Sequence, residues 1–223
     1  MQASVPGDRI QTPREELLNA LSHGLGLVLA VALLPVLVVI AARQGTAATV
    51  VGAALFASTM AVLYFASTMY HALPHGPWKR RFNRLDHASI YLFIAGSYTP
   101  FTLGPLAGPW GWSLFGVVWG IAAVGTPAKL ANRLRHPLWS TGLYVAMGWV
   151  AVVAVQPMIE RIGPQGLALI VAGGVAYTVG AVFYLLDGRY RYAHFIWHLF
   201  VLAGSSLHCA AVLLYAVTRA PLA

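Results

Sequence analysis

Charge is scarce in this chain. Only 9% of its 223 residues are Asp, Glu, Lys or Arg, against about 25% in a soluble domain. That shortage excludes an ordinary water-facing surface, and with 59% hydrophobic residues it marks an integral membrane protein. Acid is scarcer still: six Asp and Glu stand against fourteen Lys and Arg, a formal net charge of +8. The basic residues fall in short segments between apolar blocks, where positive charge sets membrane orientation. The surplus therefore does not point to nucleic acid as a partner. Cysteine is nearly missing. Cys209 stands alone, which excludes an intramolecular disulfide and a cysteine-rich zinc site; it reads as a small apolar residue in a helix. A small-residue cleavage pattern is also lacking after the first apolar run, so that run reads as a retained span and not as a signal peptide.

What the chain does have is long apolar runs. A span needs about 20 mostly apolar residues, and seven blocks meet or approach that length. They are Leu17 to Ala42, Ala47 to Leu73, Leu85 to Leu106, Trp110 to Thr126, Pro137 to Pro157, Pro164 to Leu186 and Ala193 to Val217. In lipid such runs must be helices, because each backbone polar group needs a partner within the segment. Turn chemistry separates them: "RQGT", "LPHGPWKRR", "LGPLAGPWG", "RIGPQG" and "LDGRYR". The expected fold is all-α, a seven-transmembrane helix bundle, with a short segment 1–16 before it, the bundle over 17–217 and a tail at 218–223. With the N-terminus in the cytoplasm, eleven of the fourteen Lys and Arg lie inside, and only Arg43, Arg161 and Arg219 lie outside. That asymmetry sets the N-terminus inside and the C-terminus outside, as an odd number of spans requires.

Ionisable residues within spans are costly and are functional candidates by default. His71 ends the second span, with Ser67 four residues earlier. Asp86 opens the third, followed by His87. His194 and His198 open the seventh, and Asn19 and His23 open the first behind Glu15 and Glu16. Every one of these helix ends is cytoplasmic in the expected topology, so residues far apart in sequence share one depth. His194 and His198 are four residues apart, which puts them on one helix face with Cβ atoms about 5–6 Å from each other. Adding His71 gives three nitrogen ligands. Neutral imidazole is a natural zinc ligand, and a catalytic zinc site keeps one position open. Asp86 is then placed to bind the metal or hold its water, and Ser67 to donate toward a developing oxyanion.

The other polar residues carry blander readings. His87 is expected to face away and pack at an interface, and His75 and His136 to be solvated in loops. His208 lies about 21 Å deeper than His194 at 1.5 Å per residue and reads as an interhelical hydrogen bonder. Asp187 reads as part of an ordinary turn. Asn19 and His23 have either a capping and interhelical role or a role at the site, supporting a ligand or touching the substrate. Gly116 and Gly120 form a G-x-x-x-G that reads as close internal packing.

Four stretches carry a resemblance: "EELLNALSHGLG", "STMYHAL", "RLDHASIYLFIAGSYTPF" and "HFIWHLFVLAGSSLH". With them the chain resembles the bacterial hemolysin III family, within the progestin and adiponectin receptor group and related to alkaline ceramidases. The resemblance covers all seven spans. It implies zinc held by His71, His194 and His198, with Asp86 holding a zinc-bound water and Ser67 beside it. The ceramidase branch implies hydrolysis of a lipid amide or ester, with Asp86 as general base, Ser67 assisting and an apolar cavity for an acyl chain. Fold analogy alone does not establish chemistry. Two other classes are open at this point: a membrane sensor or receptor with a structural zinc, and a pore-forming, cytolytic hemolysin. All three readings place the protein in the cell membrane as a multi-pass chain surrounded by lipid.

Overall fold

The computed structural model describes residues 9–134 and 136–218; Arg135, Arg219 and the tail beyond Thr218 lie outside the described residues. Seven α-helices follow in order: α1 (Pro13–Gln44), α2 (Ala47–Ala72), α3 (Pro77–Thr102), α4 (Pro109–Leu130), α5 (Pro137–Gly148), α6 (Val155–Leu185) and α7 (Ala193–Val212). A 3₁₀ stretch at Val150–Ala154 joins α5 to α6, and a π-helical turn at Leu213–Val217 extends α7. Four helices start with proline at their first or second position: Pro13, Pro77, Pro109 and Pro137. Proline suits that place because its missing N–H would be unpaired there anyway. α1 and α2 also carry capping boxes, Thr12 with Glu15 and Thr46 with Thr49.

Among the described residues, five helical runs are long and apolar enough to cross a membrane: α1, α2, α4, Pro137–Leu185 and Ala193–Val217. α3 differs from its expected span in a way that matters. It begins at Pro77 and not at Leu85, so Lys79, Arg80, Arg81 and Arg84 sit on helical turns and not in a loop. Apolarity reports lipid solvation and not helicity, and Lys and Arg are good helix formers. The expected fifth span is likewise not one helix, because the α-helix stops at Gly148 and tightens through Val150–Ala154. The expected break at "RIGPQG" is present as a kink. Gly163 has φ 70° and ψ 172°, a conformation glycine adopts without strain, and Pro164 follows it.

α1, α2 and α3 pack in sequence, α4 packs on α3, α6 packs on α7, and α7 closes against α1. The helices are polar inward and apolar outward. On α1, Leu17, Leu21, Leu25, Val28 and Leu29 are exposed, while Asn19, Ser22 and His23 are buried. A water-soluble helix has the opposite pattern, so the outer face is solvated by lipid. Small residues let helices approach closely. A Cβ on Gly204 would lie 2.7 Å from the Tyr177 ring, and one on Gly26 equally close to Tyr64. Gly116 and Gly120 do not behave this way: both are exposed, and nothing lies within 4 Å of a Cβ built on either. The internal packing expected of that G-x-x-x-G is absent, because α4 turns the glycines to its outer face.

Replacing Gly204 by Ala should therefore force the Tyr177 ring to shift, costing about 1–3 kcal/mol. Thermal unfolding of the detergent-solubilised protein measures this. Gly142→Ala, at an exposed site with open space, should leave stability unchanged or slightly raise it.

Candidate metal centre

His71 projects from the last turn of α2, and His194 and His198 from the first two turns of α7. All three are buried, and one ligand atom from each lies within 4.8 Å of the other two. Their ring centroids are 4.8 to 5.0 Å apart. The helical spacing of the α7 pair, inferred from sequence, thus meets the α2 histidine at one point.

The orientation of the three rings is fixed from behind. His71 Nδ1 lies 2.7 Å from Glu16 Oε2. His194 Nδ1 lies 2.7 Å from Asp187 Oδ2. His198 Nδ1 lies 3.2 Å from the Asn19 carbonyl and 3.1 Å from Ser22 Oγ. An acceptor at Nδ1 keeps the proton there and leaves Nε2 with its lone pair. This is the support that metal-binding histidines ordinarily receive, and it raises ligand basicity. His71 Nε2 is fully buried with no hydrogen-bond partner. A buried polar atom in that state needs an explanation, and a cation among three Nε2 atoms is one. The donor set fits zinc, which is commonly held by neutral imidazole and by three protein ligands in catalytic sites.

Asp86 stands outside this three-histidine group. With Ser67, His23, His194 and His198 it lines a cavity of about 180 Å³. The cavity continues along α3 past Ile90, Phe93, Ile94 and Phe101, and reaches His208 on α7. From Asp86 to Thr102 this is sixteen residues of helix, about 24 Å. The cavity wall is chiefly apolar. Ser67 faces the same region as His71, as their spacing implied, but its Oγ pairs with His23 Nδ1 at 2.7 Å. The His23 ring lies flat on His198, with centroids 3.5 Å apart and planes 5° apart. His23 Nε2 is buried and unpartnered.

Asp187 is not an ordinary turn residue, contrary to the sequence reading. Tyr192 takes a left-handed conformation, φ 61°, and the turn before α7 folds Asp187 back onto His194. An acid in a turn that otherwise carries Arg189 and Arg191 was the available signal. Glu16 was the other omission, although it opens α1 at the depth of His71. Asn19 contributes its backbone carbonyl to His198, and its side chain bonds Gln11 at 2.6 Å. His87 bonds the Asn83 carbonyl and Tyr184 Oη, an interfacial role, while also touching the cavity wall. His208 bonds across to the Ile170 carbonyl at 3.2 Å, the interhelical contact expected of it. His75 and His136 are exposed.

Residues 11–209 match the family described as Haemolysin-III related. The chain is 40% identical over 210 residues to "Hemolysin-3" of Bacillus cereus, covering 94% of this chain and 95% of that one. It is 39% identical over 206 residues to "Hemolysin-3 homolog" of Bacillus subtilis, covering 92% and 96%. A human protein, "Monocyte to macrophage differentiation factor", is 32% identical over 173 residues, covering 72% of this chain and 68% of the relative. A buried cluster of three histidines in an apolar helix bundle thus accompanies similarity along nearly the whole chain, and the protein belongs to the hemolysin III family.

Proposed function

We propose that this chain is a zinc-dependent hydrolase of membrane lipids, acting on an amide or ester. The observation that carries the reading is the junction of two features. Three buried histidines are each held at Nδ1, and two of them, His194 and His198, line a long, chiefly apolar cavity. His71, His194 and His198 hold the metal. Zinc, when bound, supplies a Lewis acid and a water that ionises near neutral pH. Asp86 borders both the histidines and the cavity; it takes up the proton of the attacking water at its carboxylate and returns it to the departing amine or alcohol as the C–N or C–O bond breaks. Ser67 Oγ donates toward the oxygen on which negative charge develops. Ile90, Phe93 and Ile94 receive the acyl chain and exclude water from it.

The topology belongs to the same proposal. Counting α3, and dividing the Pro137–Leu185 run at Gly163, gives seven crossings. Lys79 bonds Glu16 and the backbone of His71, and Arg9 reaches Glu15 and the turn before α7. The basic end of the bundle is therefore also the histidine end, which the positive-inside rule assigns to the cytoplasm of the cell membrane. Single-cysteine labelling in a Cys209→Ala background checks the orientation. His75→Cys should react only from the cytoplasmic side and Ala107→Cys only from outside; the reverse would invert the proposal.

Metal analysis and acyl-lipid hydrolysis assays on the purified wild type and His194→Ala test the function. The wild type should hold about one zinc per chain and release fatty acid; His194→Ala should lose both. Wild-type protein free of zinc would remove the metal reading. Zinc without turnover on any acyl lipid would favour the sensor with a structural metal. Asp187→Asn, which leaves a weaker acceptor behind His194, should lower zinc affinity about 10- to 100-fold, read by competition with a chelator.

A further inference from the structure

Lys79 is the basic residue that does not behave as a surface charge. Arg80, Arg81 and Arg84 beside it are exposed, but Lys79 is only 8% exposed. A buried ammonium is costly unless fully paired, and here it is. Its Nζ donates to the Tyr70 carbonyl at 2.8 Å, the Leu73 carbonyl at 3.3 Å and the His71 carbonyl at 3.5 Å. It also lies 3.1 Å from Glu16 Oε1 and 4.8 Å from the centre of the Tyr70 ring. Those carbonyls are the ones that the end of α2 leaves without helical partners.

His71 is thereby approached from two sides. Through the backbone, Lys79 caps the helix end that carries it. Through the side chain, Lys79 holds one oxygen of Glu16 while the other oxygen holds His71 Nδ1. Glu16 cannot rotate away from His71 without giving up an ion pair in a poorly hydrated setting, where such a pair is strong.

We infer that Lys79 is a positioning residue of the metal centre, fixing Glu16 and through it the ring orientation of His71. The inference rests on the metal-centre reading above and adds to it a residue that touches neither the metal nor the substrate. It also removes Lys79 from the charges that only orient the chain in the membrane.

The test is a double-mutant cycle on the full-length protein in detergent or nanodiscs. Zinc affinity is read by chelator competition, and the absorption spectrum of the cobalt(II)-loaded protein reports ligand geometry. Lys79→Met and Glu16→Gln should each weaken zinc about tenfold and shift the cobalt bands. Because one acts through the other, the double variant should be no weaker than the worse single variant. Arg80→Met should match the wild type. Lys79→Gln serves if Lys79→Met does not fold, since it keeps donors for the carbonyls without the charge. It should weaken zinc while the metal-free protein melts as before. Unchanged affinity and spectrum in the Lys79 variants, or additive losses in the double variant, would overturn the inference and leave the metal reading intact. A wild type that binds neither zinc nor cobalt would overturn both.

Discussion

The candidate site depends on the first turn of α1, where two adjacent glutamates face different helices. Glu15 is 2% exposed. It accepts both Nη groups of Arg9, at 2.6 and 2.7 Å, the Thr12 N–H, and the Tyr192 N–H at 2.8 Å. Glu16 holds His71 and Lys79. One helix start is thus tied both to the beginning of α7 and to the end of α2, the two elements that supply the histidines. Charged and bidentate hydrogen bonds are the strong ones, and with Asp187 on His194 this end of the bundle places three of only six acids in them. The Glu15 hydrogen bonds also hold the Arg9 guanidinium more firmly protonated than usual.

The rest of the bundle maintains that arrangement with weak forces. Lipid tails are as apolar as leucine, so helix association in a membrane relies on close packing and hydrogen bonds between helices. Both occur here. Tyr64 and Tyr177 converge on Ser205 at 2.8 and 3.0 Å. Tyr98 bonds the Met147 and Gly148 carbonyls at 3.2 and 2.7 Å, where α5 gives way to the tighter 3₁₀ turn. The cavity is left between α3, α5, α6 and α7, and its polar end meets the histidines. On the proposed reading, a histidine cluster beside a long, chiefly apolar cavity suits chemistry on a lipid better than on a soluble substrate.

Much of this was legible before any coordinates. Long apolar runs and the turn-forming breaks between them gave the helices, and shared depth brought His71, His194 and His198 together. Periodicity also put His194 and His198 on one face. Three things were not legible, each for a physical reason. Hydropathy cannot find a helix whose first turns are basic, so α3 came out two turns short. The backing of His194 by Asp187 depends on a left-handed residue at Tyr192, which is not glycine and gives no turn signal. Whether Gly116 and Gly120 pack inward depends on the rotation of α4, and in lipid an apolar helix shows little contrast between its faces. His23 is the intermediate case. Its spacing from Asn19 marked it, but its stacking on His198 and its bond to Ser67 required the fold.

The central claim is that three imidazoles ligate one metal. X-ray absorption at the zinc edge of the purified, zinc-loaded protein measures that shell directly. Three histidine rings, recognisable by their outer-shell scattering, should accompany one further light-atom ligand at zinc–nitrogen or zinc–oxygen distances of about 2.0–2.2 Å. Two rings or fewer, or a sulfur at about 2.3 Å, would contradict the account.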